Sequence, residues 1–235
     1  MREADPTQFS PLPIEEVKKV GEIEDKGMDV VEADGQEFVE LHGLLADSGQ
    51  FVVAKVLKGI VNVSDVVRSS DGKFYSKVMP LERIEQVTPE DEMGADFFIM
   101  RALFEDGDHH YEEPTDNISG RIKNVIRSNG RTVYFDFENA RQLQPNTPWT
   151  RHASSGALRM ADEKLQILRD RLDGASGAIY IHAILQSSGE TADKVFPAFR
   201  DEPNPAVALQ QTLLEKIDTA RTDIRERLER STEAA

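Results

Sequence analysis

Two tight-turn dipeptides, Asp71-Gly72 and Asn129-Gly130, constrain this chain more than any other feature. Each lies between two runs rich in β-branched and aromatic residues, and such a turn folds its flanking runs into an antiparallel hairpin. The first hairpin has Ile60 to Arg68 as one arm, with Val61, Val63, Val66 and Val67, and Lys73 to Met79 as the other, ended by Pro80. The second pairs Arg121 to Arg127 with Arg131 to Phe137. Phe51 to Leu57 reads as a further strand ahead of the first hairpin, which makes Lys73 to Met79 the third strand of that region. Glu37 to Leu41 is one more candidate strand.

Helical signals frame these hairpins. Pro13 to Val20 reads as a short helix, with proline suited to its first turn. Thr88 is a good N-cap, Pro89 a good first helical residue, and Glu90, Asp91 and Glu92 favour the positive end of a helix. Met93, Phe97, Met100 and Phe104 then form an apolar stripe that stops near Asp106-Gly107. From Ser154 onward helical spacing dominates. Leu158, Ala161, Leu165, Leu168 and Leu172 share one face up to Gly174, Ala178 to Leu185 continues as helix, and a last helix runs from about Pro205 to Arg230. Its apolar face carries Leu213, Leu214, Ile217, Ala220, Ile224 and Leu228.

The expected fold class is therefore α+β: an N-terminal antiparallel β-rich lobe with one packed helix, a second β-hairpin, then a C-terminal helical lobe. The expected divisions are a flexible leader over 1–12, a β-rich lobe over 13–140 and a helical lobe over 141–235.

Charge excludes several function classes. With 28 Lys and Arg against 43 Asp and Glu the net charge is −15, which repels a phosphate backbone and an anionic membrane surface. The expected partners therefore include no nucleic acid and no membrane. The absence of cysteine excludes disulfides, thiolate zinc sites and cysteine nucleophiles. No apolar run approaches the roughly 20 residues of a membrane span. Met1 to Pro13 is polar, with Pro6, Pro11 and Pro13, and lacks the pattern of a signal peptide. A soluble, cytoplasmic protein is the expectation.

Among chemical motifs, the order of three residues stands out. Phosphoryl transfer needs a cation on the phosphates, carboxylates for magnesium and a group that orients the acceptor hydroxyl. Lys77 lies on the expected third strand, Glu92 in the first turn of the next helix, and Asp136 at the end of the second hairpin, within Tyr134-Phe135-Asp136-Phe137-Glu138. A charge between Phe135 and Phe137 is unusual in an apolar strand. The acidic loop from Glu105 to Glu113, with His109 and His110, is a further candidate for a divalent ion and also reads as a plain solvated loop.

In this order of motifs, residues 50 to 140 resemble the protein-kinase-like superfamily in an atypical, reduced form. The resemblance rests on Gly59 to Met79 as the opening strands, on Glu92-Met93-Gly94-Ala95 through Leu103 as the helix that pairs with them, and on Asp136-Phe137-Glu138 in the place of the metal-binding Asp-Phe-Gly. It implies ATP and magnesium as cofactors, with Lys77 and Glu92 on the nucleotide and Asp136 on the metal. It also implies a catalytic loop, for which two pairs compete: Asp108 with Asn117, or Asp116 with Asn124, the aspartate orienting the acceptor and the asparagine holding metal. Gly59 stands alone where several glycines belong, and no His-Arg-Asp triplet exists. The implied function is a kinase-like nucleotide- and magnesium-binding protein with phosphotransfer to a protein or small-molecule acceptor. The alternative is a catalytically inactive protein-interaction module. Gly-x-Ser-x-Gly, His-Glu-x-x-His and Walker-type signatures are missing.

Overall fold

A computed structural model describes residues 18–23, 28–33, 36–40, 44–64, 66–69, 72–77, 82–85, 91–104, 111–112, 121–128, 131–134, 137 and 154–233. The fold is α+β, with two antiparallel sheets and six α-helices among these residues. The first sheet contains β1 (Lys18–Ile23), β2 (Met28–Ala33), β3 (Gln36–Glu40), β4 (Val66–Arg68) and β5 (Phe74–Lys77), in the order β1-β2-β3-β5-β4. Between β3 and β4 the chain forms α1 (Leu44–Leu57). The second sheet is built on β8 (Arg121–Ser128), which pairs with β6 (Glu82–Glu85), β7 (Tyr111–Glu112) and β9 (Arg131–Tyr134).

Both expected hairpins form. Arg68 pairs with Phe74 across the first turn, where Gly72 takes a φ of 90° that its lack of a Cβ permits. Ser128 pairs with Arg131 across the second. The strand at Gln36–Glu40 also matches its expectation.

Three local expectations are corrected. Phe51 to Leu57 is the second half of helix α1, not a strand. Every residue from Ser48 to Leu57 is buried, so this helix has no polar face to show a 3.6-residue period, and Val52, Val53 and Val56 resemble a strand in composition. Burial on all sides overrides that β preference. Next, Lys18 to Val20 belong to strand β1 rather than to a short helix. Finally, of the expected arm from Ile60 to Arg68 only Val66–Arg68 is a strand, while Val61 and Val63 make isolated bridges. As a result Lys77 lies on the fifth strand of its sheet, and β3 is the third.

The helical expectations downstream are met. Helix α2 (Asp91–Phe104) carries Met93, Phe97 and Met100 fully into the core. It is followed by α3 (Ser155–Leu172), α4 (Gly174–Ser188), the short α5 (Ala192–Val195) and α6 (Pro205–Glu233). Ser154 caps α3 by accepting from the Ala157 amide at 3.0 Å, and its hydroxyl donates to Asp91, which ties the starts of α2 and α3 together. Gly156 lies so close to Asp91 that a Cβ there would collide with the carboxylate.

One apolar cluster runs from Phe51 on α1 to Ile224 on α6, so the two halves of the chain share a core. Leu165, Leu168 and Ile217 are fully buried where α3 meets α6, and Leu214 is half-buried. The segment ahead of β4 meets the second sheet at a parallel bridge between Val63 and Tyr134, with Ser64 N–H donating to Tyr134 O at 2.8 Å and Tyr134 N–H to Asn62 O at 3.0 Å. Among the described residues no helix is long and apolar enough to cross a membrane.

Candidate functional site

The polar centre of the described core begins with Asp96. It interrupts the apolar run of α2 and is 1% exposed. A carboxylate in that position needs a partner, because burial without one is strongly unfavourable. Lys164, on the facing helix α3, donates to Asp96 Oδ1 at 2.5 Å and lies 3.7 Å from Glu92 Oε1. The phenol of Tyr134, at the end of β9, faces the same carboxylate. Burial pushes the Asp96 carboxyl up to about 6, against the opposing pull of Lys164; Glu92 adds to the rise and the Tyr134 hydroxyl reduces it. Burial, followed by the charge of Asp96, pushes the Tyr134 phenol well above its ordinary range. Tyr134 also packs edge-on against Phe97, with ring centroids 5.7 Å apart. This cluster joins α2, α3 and the second sheet, and its depth makes it a strut rather than a group open to a substrate.

The expected site residues fall in several places. Lys77 ends β5, with its Cα opposite Phe38 of β3. Glu92 is in the first turn of α2, exposed, with Lys164 as its ion-pair partner. The two lie on different layers, one in the first sheet and one where α2 meets α3. Asn124 lies on β8, whose neighbour Val125 pairs with Tyr134 of β9. Asp108, Asp116, Asn117 and Asp136 lie outside the described residues. Asp136 lies in sequence between Phe135 and Phe137, and Phe137 is buried. Among the described residues no group of three or more His, Asp or Glu side chains is placed to hold a metal ion.

The residues that sequence reasoning passed over are Asp96, Lys164 and Tyr134. Asp96 had a usable signal, a charge three residues after Met93 and directly before the apolar run Phe97 to Met100. Lys164 had none, because a lysine on an amphipathic helix ordinarily sits in solvent.

Comparison with protein-family models and with curated proteins finds no match to this chain.

Proposed function

We propose that the protein is a kinase-like nucleotide binder that takes ATP with magnesium and whose phosphotransfer machinery is reduced. The observation that carries this reading is the succession of elements. Five antiparallel strands make one sheet, with α1 between the third and the fourth; β6 and the buried helix α2 follow; then come β7 and a hairpin whose second strand leads in sequence to Asp136. Kinase-like proteins order their working parts in this way, with a lysine on the third strand, a glutamate on the next helix and a metal-binding aspartate after a later hairpin.

The same succession explains why the machinery is reduced. Strand β3, Gln36–Glu40, has no lysine, and α1 has no glutamate. Lys77, on the neighbouring strand with its Cα opposite Phe38, takes the place of that cation on this reading. Glu92 is engaged by Lys164. On this reading Lys77 meets the phosphates, Asp136 with Asn117 or Asn124 holds the magnesium, and Asp108 or Asp116 orients an acceptor. Magnesium, when bound, offsets the repulsion between the nucleotide and an acidic protein. The missing lysine and glutamate also favour a second reading, a catalytically inactive interaction module.

Thermal unfolding with and without ATP and magnesium tests the proposal. Nucleotide at 100 times its dissociation constant should stabilise the fold by about 2.7 kcal/mol. Asp136→Asn should remove the magnesium dependence, and Lys77→Ala should weaken nucleotide binding without unfolding the protein. No shift at millimolar ATP with magnesium favours the interaction module.

A further inference from the structure

Helix α4 carries no Asp, Glu, Lys or Arg over its 15 residues, in a chain of which 30% is charged. Burial alone does not account for this. Helix α1, buried on every side from Ser48 to Leu57, still holds Asp47 and Lys55. Helix α4 is buried on one side only, where Ile181, Ile184 and Leu185 pack into the core it shares with α1 and α6. On its other side Ala175, Ser176, Ile179, His182 and Gln186 are exposed. The neighbouring helices place charges at such positions, as Glu163 and Asp170 on α3 and Glu215 and Asp218 on α6.

The exposed set forms a seam. Ala175, Ile179, His182 and Gln186 recur at i, i+4, i+7 and i+11, the spacing by which one helix packs along another. Ser176 and the half-buried Ala183 flank this seam and are short enough to let a second helix approach closely. Ile179 stands at its middle, 63% exposed. A single exposed isoleucine is ordinary on a protein surface; one set in a charge-free seam is not. Charge identifies the occupant. At a net charge of −15, two copies repel each other wherever their charged faces meet. A partner of different sequence and opposite charge would find its complement on those charged faces. Where identical faces meet, a residue near the twofold axis lies beside its own copy, so a charge there meets its like. The face a second copy can use is one without charges, and α4 provides it.

We infer that α4 is the contact face of a homodimer, in which the α4 helices of two copies pack antiparallel across a twofold axis that passes between Ile179 and His182. One helix face is smaller than the roughly 800 Å² per partner of a standard interface, so the dimer is weak and forms at high chain concentration. The inference does not rest on nucleotide binding, and its test contains no nucleotide. Sedimentation equilibrium of the full chain, from about 10 μM to about 1 mM, should show the mass rising from 26.3 kDa toward twice that value. Added salt should strengthen the dimer, because it screens the repulsion between like-charged copies. Ile179→Asp and Ile179→Lys should each weaken association by about tenfold or more. An equimolar mixture of these two variants should regain it, since opposite charges then face each other across the axis. Because Ile179 is exposed, both variants should melt with the wild type. Ser176→Glu, on the same seam, should weaken association likewise. A mass that stays at 26.3 kDa throughout overturns the inference and leaves the seam to a partner of another sequence. So does a dimer that Ile179→Asp leaves unchanged, a mixture no more associated than either variant alone, or a dimer that salt dissociates.

Discussion

Helices α2 and α6 follow opposite designs. On α2 ten of fourteen residues are buried, and its interior charge, Asp96, is held by Lys164 and faces Tyr134. On α6 one stripe is buried, from Leu209 to Ile224, and its charges lie at the margin with α3, as Arg221 with Asp162, or in pairs along its own surface, as Asp223 with Arg227. A pair of that surface kind, four residues apart on one helix, contributes about 0.3–0.5 kcal/mol. A buried pair differs in kind, because removing one partner leaves the other charged or unpaired in the core. A buried ion pair therefore adds to the apolar anchoring of α2, whereas α6 is held to α3 by one apolar face and by ion pairs at its margins, Arg221 with Asp162 and Asp218 with Arg169.

The largest expected effect breaks the anchor. Lys164→Met leaves Asp96 buried without its cation and should destabilise the fold by about 3–5 kcal/mol, read by denaturant unfolding. Replacing both partners, with Asp96→Leu and Lys164→Met together, should recover most of that loss, because a well-packed apolar pair needs no desolvation. A loss below about 0.5 kcal/mol for Lys164→Met would put this pair in the same class as those on α6.

Titration sharpens the same contrast. An unfolded aspartate loses its proton near 3.8, and Asp96 in the fold near 6. Between those values the folded chain holds the additional proton, so this group makes stability fall as pH rises from about 4 to about 6 and leaves it flat above. The full effect is on the order of 3 kcal/mol. Asp96→Asn should remove this slope from a series of unfolding curves between pH 4 and 7. An unchanged slope in that variant would assign the pH dependence to other carboxylates.

The two designs also differ in how far they could be read in advance. The α3 and α6 helices show their period because leucines and isoleucines alternate with charges, so Leu165, Leu168 and Ile217 were legible as core. Helix α1 has no polar face, and its valines carried a strand's composition, so Phe51–Leu57 was misread. That error displaced Lys77 from the fifth strand to the third. The turn dipeptides survived it, because a hairpin is decided by two residues and not by long-range burial. Of the polar centre, Asp96 was visible as a charge on an apolar stripe, whereas Lys164 acquires its role only from the packing of α3 on α2.

The smallest effect concerns the join between the first sheet and α4. That helix begins at Gly174, with a φ of 62°, and is closed by Gly189, with a φ of 73°. A Cβ at 174 would meet nothing within 4 Å, so Gly174→Ala registers backbone strain alone. At 189 a Cβ would lie 2.5 Å from Cζ of Arg68, whose guanidinium lies 5.9 Å from the Phe74 ring centroid. Gly189→Ala therefore adds the displacement of that guanidinium to the same strain. Left-handed backbone costs a non-glycine residue roughly 1–2 kcal/mol. Gly174→Ala should lose about that much, and Gly189→Ala more, up to about 3 kcal/mol. Arg68→Met should bring the two losses together, since it removes the charged head that the new methyl group strikes. Equal losses in the unmodified background would show that Arg68 swings aside freely and that the contact between hairpin and helix contributes nothing.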